Sequence, residues 1–377
     1  MSIYRDLGGL WKIGDIVGSY NVSRILVVTG KKSFQSSGSM EAIKKHLKGY
    51  NLTYFNDFEV NPRLTDAQRG AEMAIENATE AIICIGGGSV LDMGKLIKAL
   101  YSNPCEAENL AKGMVHVSDP NIPLVAIPTT AGSGSESTHF AAVYIDDMKY
   151  SLAHHCLLPD DVILDGNLAL SATRYQKACN VLDAISQSIE SAWAVGSTTE
   201  SRDLSFAALD LCLENFTDFV NIESDQRVAQ AMLEASNLAG QAINITKTTA
   251  AHAWSYSFTK QHNIPHGHAV WLTLPKIFEF HMTCDSSLIS DPRGLDHHAS
   301  VMNRLIGALN ISSKDSVVDH FKKMLASIGI SADMRADFRI SRQNRIELSN
   351  QVNQERMRNN PIIFARSHVD QIFQLTR

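Results

Sequence analysis

Two hydrophobic rhythms divide the chain. Up to Asp165, short apolar runs alternate with stretches whose apolar residues recur at helical spacing. Residues 24–29 (RILVVT), 52–55, 81–85 and 124–127 read as strands, and continuous apolar runs of this length suit a sheet buried on both faces. Residues 41–47, 65–76 and 89–100 read as helices. Strands alternating with helices predict βαβ units and a mainly parallel sheet. Residues 141–144 and 149–152, joined through Asp146-Asp147, read as a small hairpin.

After Asp165 the pattern changes. Segments 173–195, 200–217, 225–244, 248–260, 297–309 and 314–328 carry apolar positions at helical spacing with little strand-like alternation. The boundary falls in GNLALSA, residues 166–172, which predicts an α/β domain over 1–168 and an all-α domain over 169–377. Pro265 and Gly267 mark a helix start in the second half. A ligand site is expected in the cleft between the halves.

Composition narrows the class. A chain of 377 residues exceeds what one core usually serves, so more than one domain is expected. With 44% hydrophobic and 20% charged residues it is no disordered chain, collagen or coiled coil. The net charge of −6 and the lack of a basic block leave no nucleic-acid footprint. Its apolar runs fall short of the ~20 residues a membrane span needs, and the first residues carry no signal-peptide core. The six cysteines are scattered without a CxxC pair, which predicts a reduced, cytoplasmic setting. These features point to a soluble enzyme.

Candidate chemistry clusters in three places. Gly86-Gly87-Gly88-Ser89 follows a strand and opens a helix, where free N–H groups suit the diphosphate of a nucleotide. The same triplet also fits a tight turn that needs only positive φ, and its spacing is not GxGxxG. PTTAGSGSE, residues 128–136, also follows a strand, and fits either a nucleotide's other side or a solvated loop. Asp183 and Gln187 are four apart on one helix face, and His252 and His266 lie at other helices. Two side-chain oxygens and two imidazoles could hold a divalent first-row metal and leave a position for substrate. Each of these residues alone also fits a solvated face or a satisfied histidine.

In this order, GGGSVLDMGK (86–95), PTTAGSGSE (128–136), the Asp183 helix, and His252 followed fourteen residues later by His266 in PHG strongly resemble the iron-containing alcohol dehydrogenase family. The resemblance spans Asn61-Pro62 to Asn360-Pro361. It implies a Rossmann-like nucleotide domain followed by an all-helical metal and substrate domain, the fold shared with dehydroquinate synthase. It also implies an NAD(P)-dependent alcohol dehydrogenase with a divalent metal, Fe2+ ahead of Zn2+, and a homodimer. Gly86, Gly87, Gly88, Ser89 and Asp92 would contact the pyrophosphate and nicotinamide side; Thr129, Thr130 and Ser133 would line the adenosine and ribose, with Lys149 a further contact. Asp183, His252 and His266 match three metal ligands. The family's usual fourth ligand is His, where this chain has Gln187, which implies looser metal binding or turnover without metal. A further active-site His of the family is replaced by Tyr256, a weaker proton relay at neutral pH.

NITKTTAAHAWSYSFT (244–259), PHGHA (265–269) and DAISQSIES (183–191) resemble the phosphonoacetaldehyde reductase branch, which makes 2-hydroxyethylphosphonate for phosphonate biosynthesis. Lys247, Thr248 and Thr249, just before His252, would suit an anionic phosphonate head, with Lys247 also orienting the carbonyl for catalysis; Lys247 equally suits a snorkelling surface charge. His139 and Arg174 are weaker candidates for the anion. NAD-preferring relatives often have an acidic residue where Gly30 stands; Gly30, Lys31, Lys32 and Ser33 favour NADPH over NADH, although both lysines also fit a solubility role. The rival readings are an iron-type dehydrogenase for another small aldehyde or polyol, a dehydroquinate-synthase-like lyase, and a nucleotide-binding homologue without catalysis.

Overall fold

The computed structural model describes residues 1–146, 148–222, 225–313 and 316–375. Asp147 of the expected hairpin link, and residues 314–315 at the start of an expected helix, lie outside the described residues. The chain divides into two compact units: Met1–Thr173 with Glu223–Gly240, and Arg174–Ile222 with Gln241–Arg377.

The first unit begins with β1 (Ser2–Arg5), α1 (Ile13–Ser19) and β2 (Arg24–Thr29). The short α2 (Ser33–Ser36) and α3 (Ser39–His46) lead to β3 (Asn51–Phe55) and α4 (Leu64–Glu76). β4 (Ala81–Gly86) runs into α5 (Gly88–Tyr101), and α6 (Ala107–Ala111) precedes β5 (Leu124–Pro128). β6 (Phe140–Ile145) and β7 (Met148–Ala153) form a separate antiparallel pair, followed by β8 (Asp161–Leu164) and α7 (Gly166–Ala169).

Six strands form one parallel sheet in the order β1-β8-β5-β4-β2-β3. β4 and β5 are buried along their whole length, which is why they read as unbroken apolar runs rather than alternations; β8 is buried as well. From β2 the chain moves to β3 on one side and then returns to β4 on the other. That reversal creates a switch point, and ligand crevices of such sheets open beyond the carboxyl ends of the strands there. Register aligns Thr29 with Ile85 and Gly86 with Pro128, so the turns after β2, β4 and β5 emerge at one end of neighbouring strands.

The second unit is helical. α8 (Arg174–Trp193) packs along α9 (Thr199–Asn221) and against α12 (His266–Trp271). A capping box at Thr198 and Ser201 starts α9. α10 (Gln226–Thr246) is shared, its residues through Gly240 grouping with the first unit. α11 (Ala250–His262) contacts α12, and α13 (Leu274–Thr283), α14 (Gly294–Ala308) and α15 (Val317–Ser327) follow. The short α16 (Arg342–Asn350), α17 (Gln354–Arg358) and α18 (Arg366–Ile372) close the chain. Among the described residues, no helix is long and apolar enough to cross a membrane.

Candidate active site

Asp183 faces α11 and α12 from the middle of α8, and one atom of its carboxylate meets both imidazoles. Its Oδ1 lies 3.3 Å from Nε2 of His252 and 3.9 Å from Nε2 of His266. The three ligand atoms stand within 4.8 Å of one another, a spacing that one cation can bridge. His266 reaches this point because α12 starts tightly against α8. A Cβ at Gly267 would fall 2.0 Å from the Cys179 carbonyl oxygen, so only glycine permits the approach.

Each histidine presents the nitrogen a metal needs. The Nδ1 of His252 donates to Glu190 Oε2 in a short hydrogen bond, which turns Nε2 toward Asp183. Ser255 donates its hydroxyl proton to the His252 carbonyl at 2.9 Å and so accepts from His266 Nδ1 at 3.4 Å, leaving the His266 lone pair on Nε2. Glu190 is itself fixed: Oε1 accepts from Thr249 Oγ1 at 2.8 Å and from the Ala251 N–H at 2.7 Å. Trp193 Nε1 in turn donates to Thr249 Oγ1 at 2.8 Å. Such outer partners orient metal-binding imidazoles and raise their basicity.

The charge balance also fits a divalent cation. Burial pushes Asp183 up, but His266 and His252 beside it and the hydrogen bond from Gln187 hold it below the usual carboxylate range. Burial likewise pushes Glu190 up, and His252 together with Thr249 outweighs it. Burial alone would lower His252, but the Glu190 charge and hydrogen bonds to Asp183 and Glu190 raise it to about 10. Two buried carboxylates therefore face the imidazoles and call for positive charge, which protonated His252 or a metal ion can supply.

The remaining expected residues of this unit have varied surroundings. Gln187 is buried one turn after Asp183, and its amide donates to the Asp183 carboxylate. The Tyr256 ring stacks on His266 at 5.8 Å with 7° between the planes. Lys247, expected as an anion anchor, is half-exposed at φ 61°, and its ammonium pairs with Glu355. Thr249 is occupied in holding Glu190, and Thr248 is buried with its carbonyl accepting from Asn359 at 3.0 Å. Arg174 binds Asn221 Oδ1 at 2.7 and 3.2 Å. Glu190 and Ser255 had not been singled out from the sequence. The available signal for Glu190 is its position on the Asp183 face of α8, seven residues after Asp183 and three after Gln187.

The first unit carries the expected nucleotide loops. Gly30 follows β2 and leads to Ser33 at the start of α2, while Lys31 pairs with Glu59 at 3.4 Å and with Asp57 at 4.0 Å. Lys32 is exposed at the α2 N-cap. Gly86, Gly87 and Gly88 join β4 to α5, and Ser89 Oγ accepts from the Asn61 N–H at 3.2 Å. A Cβ at Gly88 would stand 2.7 Å from Ser133 Oγ, so glycine brings this turn against the loop after β5. In that loop Thr129 is buried, and its hydroxyl makes no hydrogen bond among the described residues. Thr130 lies 3.3 Å from the Cβ position of Gly87. Asp92 spends both oxygens on the chain, accepting from Ser135 Oγ at 2.6 Å and from the Ala142 N–H at 3.0 Å. Lys149 sits on β7 opposite Tyr144, and His139 lies edge-on to Phe140.

A parallel sheet with glycine-bearing turns at its switch point, and a helical unit with a carboxylate–imidazole cluster, match the parts that a metal-assisted, nucleotide-dependent oxidoreductase needs. Residues 2–166 match the iron-containing alcohol dehydrogenase model, and 177–376 match the C-terminal model of the same family. The probable alcohol dehydrogenase EutG of Escherichia coli strain K12 is 32% identical over 63% of this chain, a match covering 61% and so less than two thirds of that protein. A phosphonoacetaldehyde reductase of Streptomyces viridochromogenes is 30% identical over 66% of this chain and 70% of its own length. The crystal structure of sulfoacetaldehyde reductase from Bifidobacterium kashiwanohense in complex with NAD+ superposes with a TM-score of 0.88 at 24% identity, covering 100% of this chain and 96% of that one. The chain belongs to the iron-containing alcohol dehydrogenase family and is an NAD(P)-dependent oxidoreductase.

Proposed function

We propose that this enzyme reduces a small aldehyde, with phosphonoacetaldehyde as the substrate and 2-hydroxyethylphosphonate as the product. The convergence of Asp183, His252 and His266 on one point carries the aldehyde-reductase part of this reading. The relative named phosphonoacetaldehyde reductase supports the substrate.

Asp183, His252 and His266 would hold a divalent ion, ferrous iron ahead of zinc, with Gln187 beside them. Bound there, the ion supplies Lewis acidity toward the aldehyde oxygen, and the reduced nicotinamide supplies the hydride. The chain's own groups do the rest. Glu190 holds the His252 ring in its ligating tautomer, and Ser255 does so for His266. Tyr256, whose ring stacks on His266, would pass a proton from its hydroxyl to the product oxygen and recover one from water. Gly86 to Ser89 and Thr129 to Ser133 would cradle the nucleotide, with the buried Thr129 hydroxyl still open to a partner. Gly30, without an acidic side chain, favours NADPH. A homodimer in the cytoplasm completes the reading.

A second reading, reduction of a neutral aldehyde or oxidation of a polyol, is favoured by one observation. Lys247, the cation assigned to the phosphonate, already pairs with Glu355. Loss of NADPH absorbance with phosphonoacetaldehyde and with propanal, before and after chelation, tests both. Preference for the phosphonate, lost on chelation and restored by ferrous ion, is the expected result. Equal rates on both aldehydes would leave the second reading standing.

A further inference from the structure

Lys95 is fully buried on α5, and its ammonium reaches the loop after β5 rather than solvent. Its Nζ donates to the carbonyl oxygens of Ser135 and Phe140 at 2.5 and 3.0 Å and to Thr138 Oγ1 at 2.9 Å, with Ser135 Oγ at 3.1 Å. All these acceptors belong to the stretch that runs from the loop after β5 into β6. Asp92, one turn earlier on α5, grips the same stretch through Ser135 and Ala142. From the far side, Asn237 of α10 donates to Ser137 Oγ at 2.6 Å and to Glu136 Oε1 at 3.2 Å.

The loop needs such holding. Ala131, Gly132, Ser133, Gly134 and Ser135 have little side chain to bury, so apolar packing alone fixes them weakly. A buried ammonium is costly where an apolar residue of similar length would fill the space, so stability does not explain a lysine here. Its three donors match an irregular backbone that offers carbonyls to no ladder. Because α5 also carries the glycine turn at its N-terminus, a clamp from α5 fixes the second loop relative to the first.

We propose that Lys95 is a positioning residue for the nucleotide: it locks the 129–138 loop to α5 so that the two turns form one preorganised cradle. This rests on the reading that these loops bind NAD(P)H. Without the clamp the loop must be ordered at the moment of binding, and that cost falls on nucleotide affinity rather than on the chemistry of the aldehyde. Burial also lowers Lys95 to about 8, against the opposing charges of Asp92 and Glu136; the Cys84 thiol on β4, pushed up to about 12 by its own burial, stays protonated there. Deprotonation leaves two donors for the same acceptors, so the grip loosens as pH rises through this range.

The test is NADPH titration of the wild type and Lys95→Met, with KM measured separately for NADPH and aldehyde. The expected result is a roughly tenfold weaker nucleotide Kd and a matching rise in nucleotide KM, with the aldehyde KM within about threefold. In the wild type, nucleotide Kd should rise as pH passes about 8, and this rise should be absent in Lys95→Met. If Lys95→Met does not fold, Thr138→Val removes one acceptor and should weaken nucleotide binding by about threefold. Wild-type binding matched by the variant, or a variant that weakens nucleotide and aldehyde equally, overturns the role of Lys95 alone. A wild type that binds neither NADPH nor NADH overturns the cofactor reading and this inference with it.

Discussion

Glu190 and His252 share a hydrogen bond that solvent does not reach: the carboxylate is fully buried, and the imidazole is 3% exposed. The carboxylate sets which nitrogen of the ring faces Asp183, so it acts on the metal without touching it. Glu190→Gln removes the charge and keeps the shape. Metal affinity should fall about 10-fold or more, measured by competition with a chromophoric chelator. Unchanged affinity would show that the carboxylate serves packing only.

Gln187 occupies the position where the family resemblance leads one to expect a histidine ligand. Imidazole is a better donor than an amide oxygen to ferrous iron or zinc. Gln187→His should therefore slow metal loss during dialysis and raise affinity by roughly tenfold. A variant that retains no more metal than the wild type would mean that this side chain does not reach the ion.

Lys247 separates the two substrate readings. If its pair with Glu355 opens to receive a phosphonate, Lys247→Met should raise KM for phosphonoacetaldehyde by about tenfold while leaving propanal nearly unchanged. Equal effects on the two aldehydes would assign the ion pair to structure. Such half-exposed pairs contribute little to stability, so the variant should fold.

Acid should destabilise the helical unit through a buried histidine pair. His281 Nδ1 lies 3.1 Å from His298 Nε2, and the His281 ring stacks on Trp193 at 4.0 Å. Burial, then the neighbouring His298, pushes His281 well below the ordinary histidine value; burial also lowers His298 against the charge of Asp291, with His297 adding to the lowering. The unfolded chain therefore takes up protons first, so stability is full above about pH 6.5 and declines as pH falls below it. Urea unfolding at pH 7.5 and 5.5 should show the loss. His281→Phe, which can keep the stack on Trp193, should make the decline shallower, and an unchanged slope would place the acid sensitivity elsewhere.

Much of this fold is legible in the sequence. β2, β4 and β5 are unbroken apolar runs because both sheet faces are covered, and α8 to α11 show their apolar periodicity over long segments. β1 and β8 were not legible. Ser2–Arg5 and Asp161–Leu164 are four residues each, and they are strands because they pair with each other, which no local pattern records. The C-terminal helices α16 to α18 are short and largely polar, so periodicity had little to register.

By itself the sequence determined the order of the inner strands and long helices, the two glycine-bearing turns and the donor types available for a metal. These depend on local spacing, and local spacing is written in the chain. Only the tertiary structure decided that both Nε2 atoms meet Asp183, that Glu190 and Ser255 set the two tautomers, that Lys247 has Glu355 for a partner and that Lys95 grips the loop after β5. Each of those facts is a distance between residues far apart along the backbone, and packing alone brings such residues within reach of one proton or one ion.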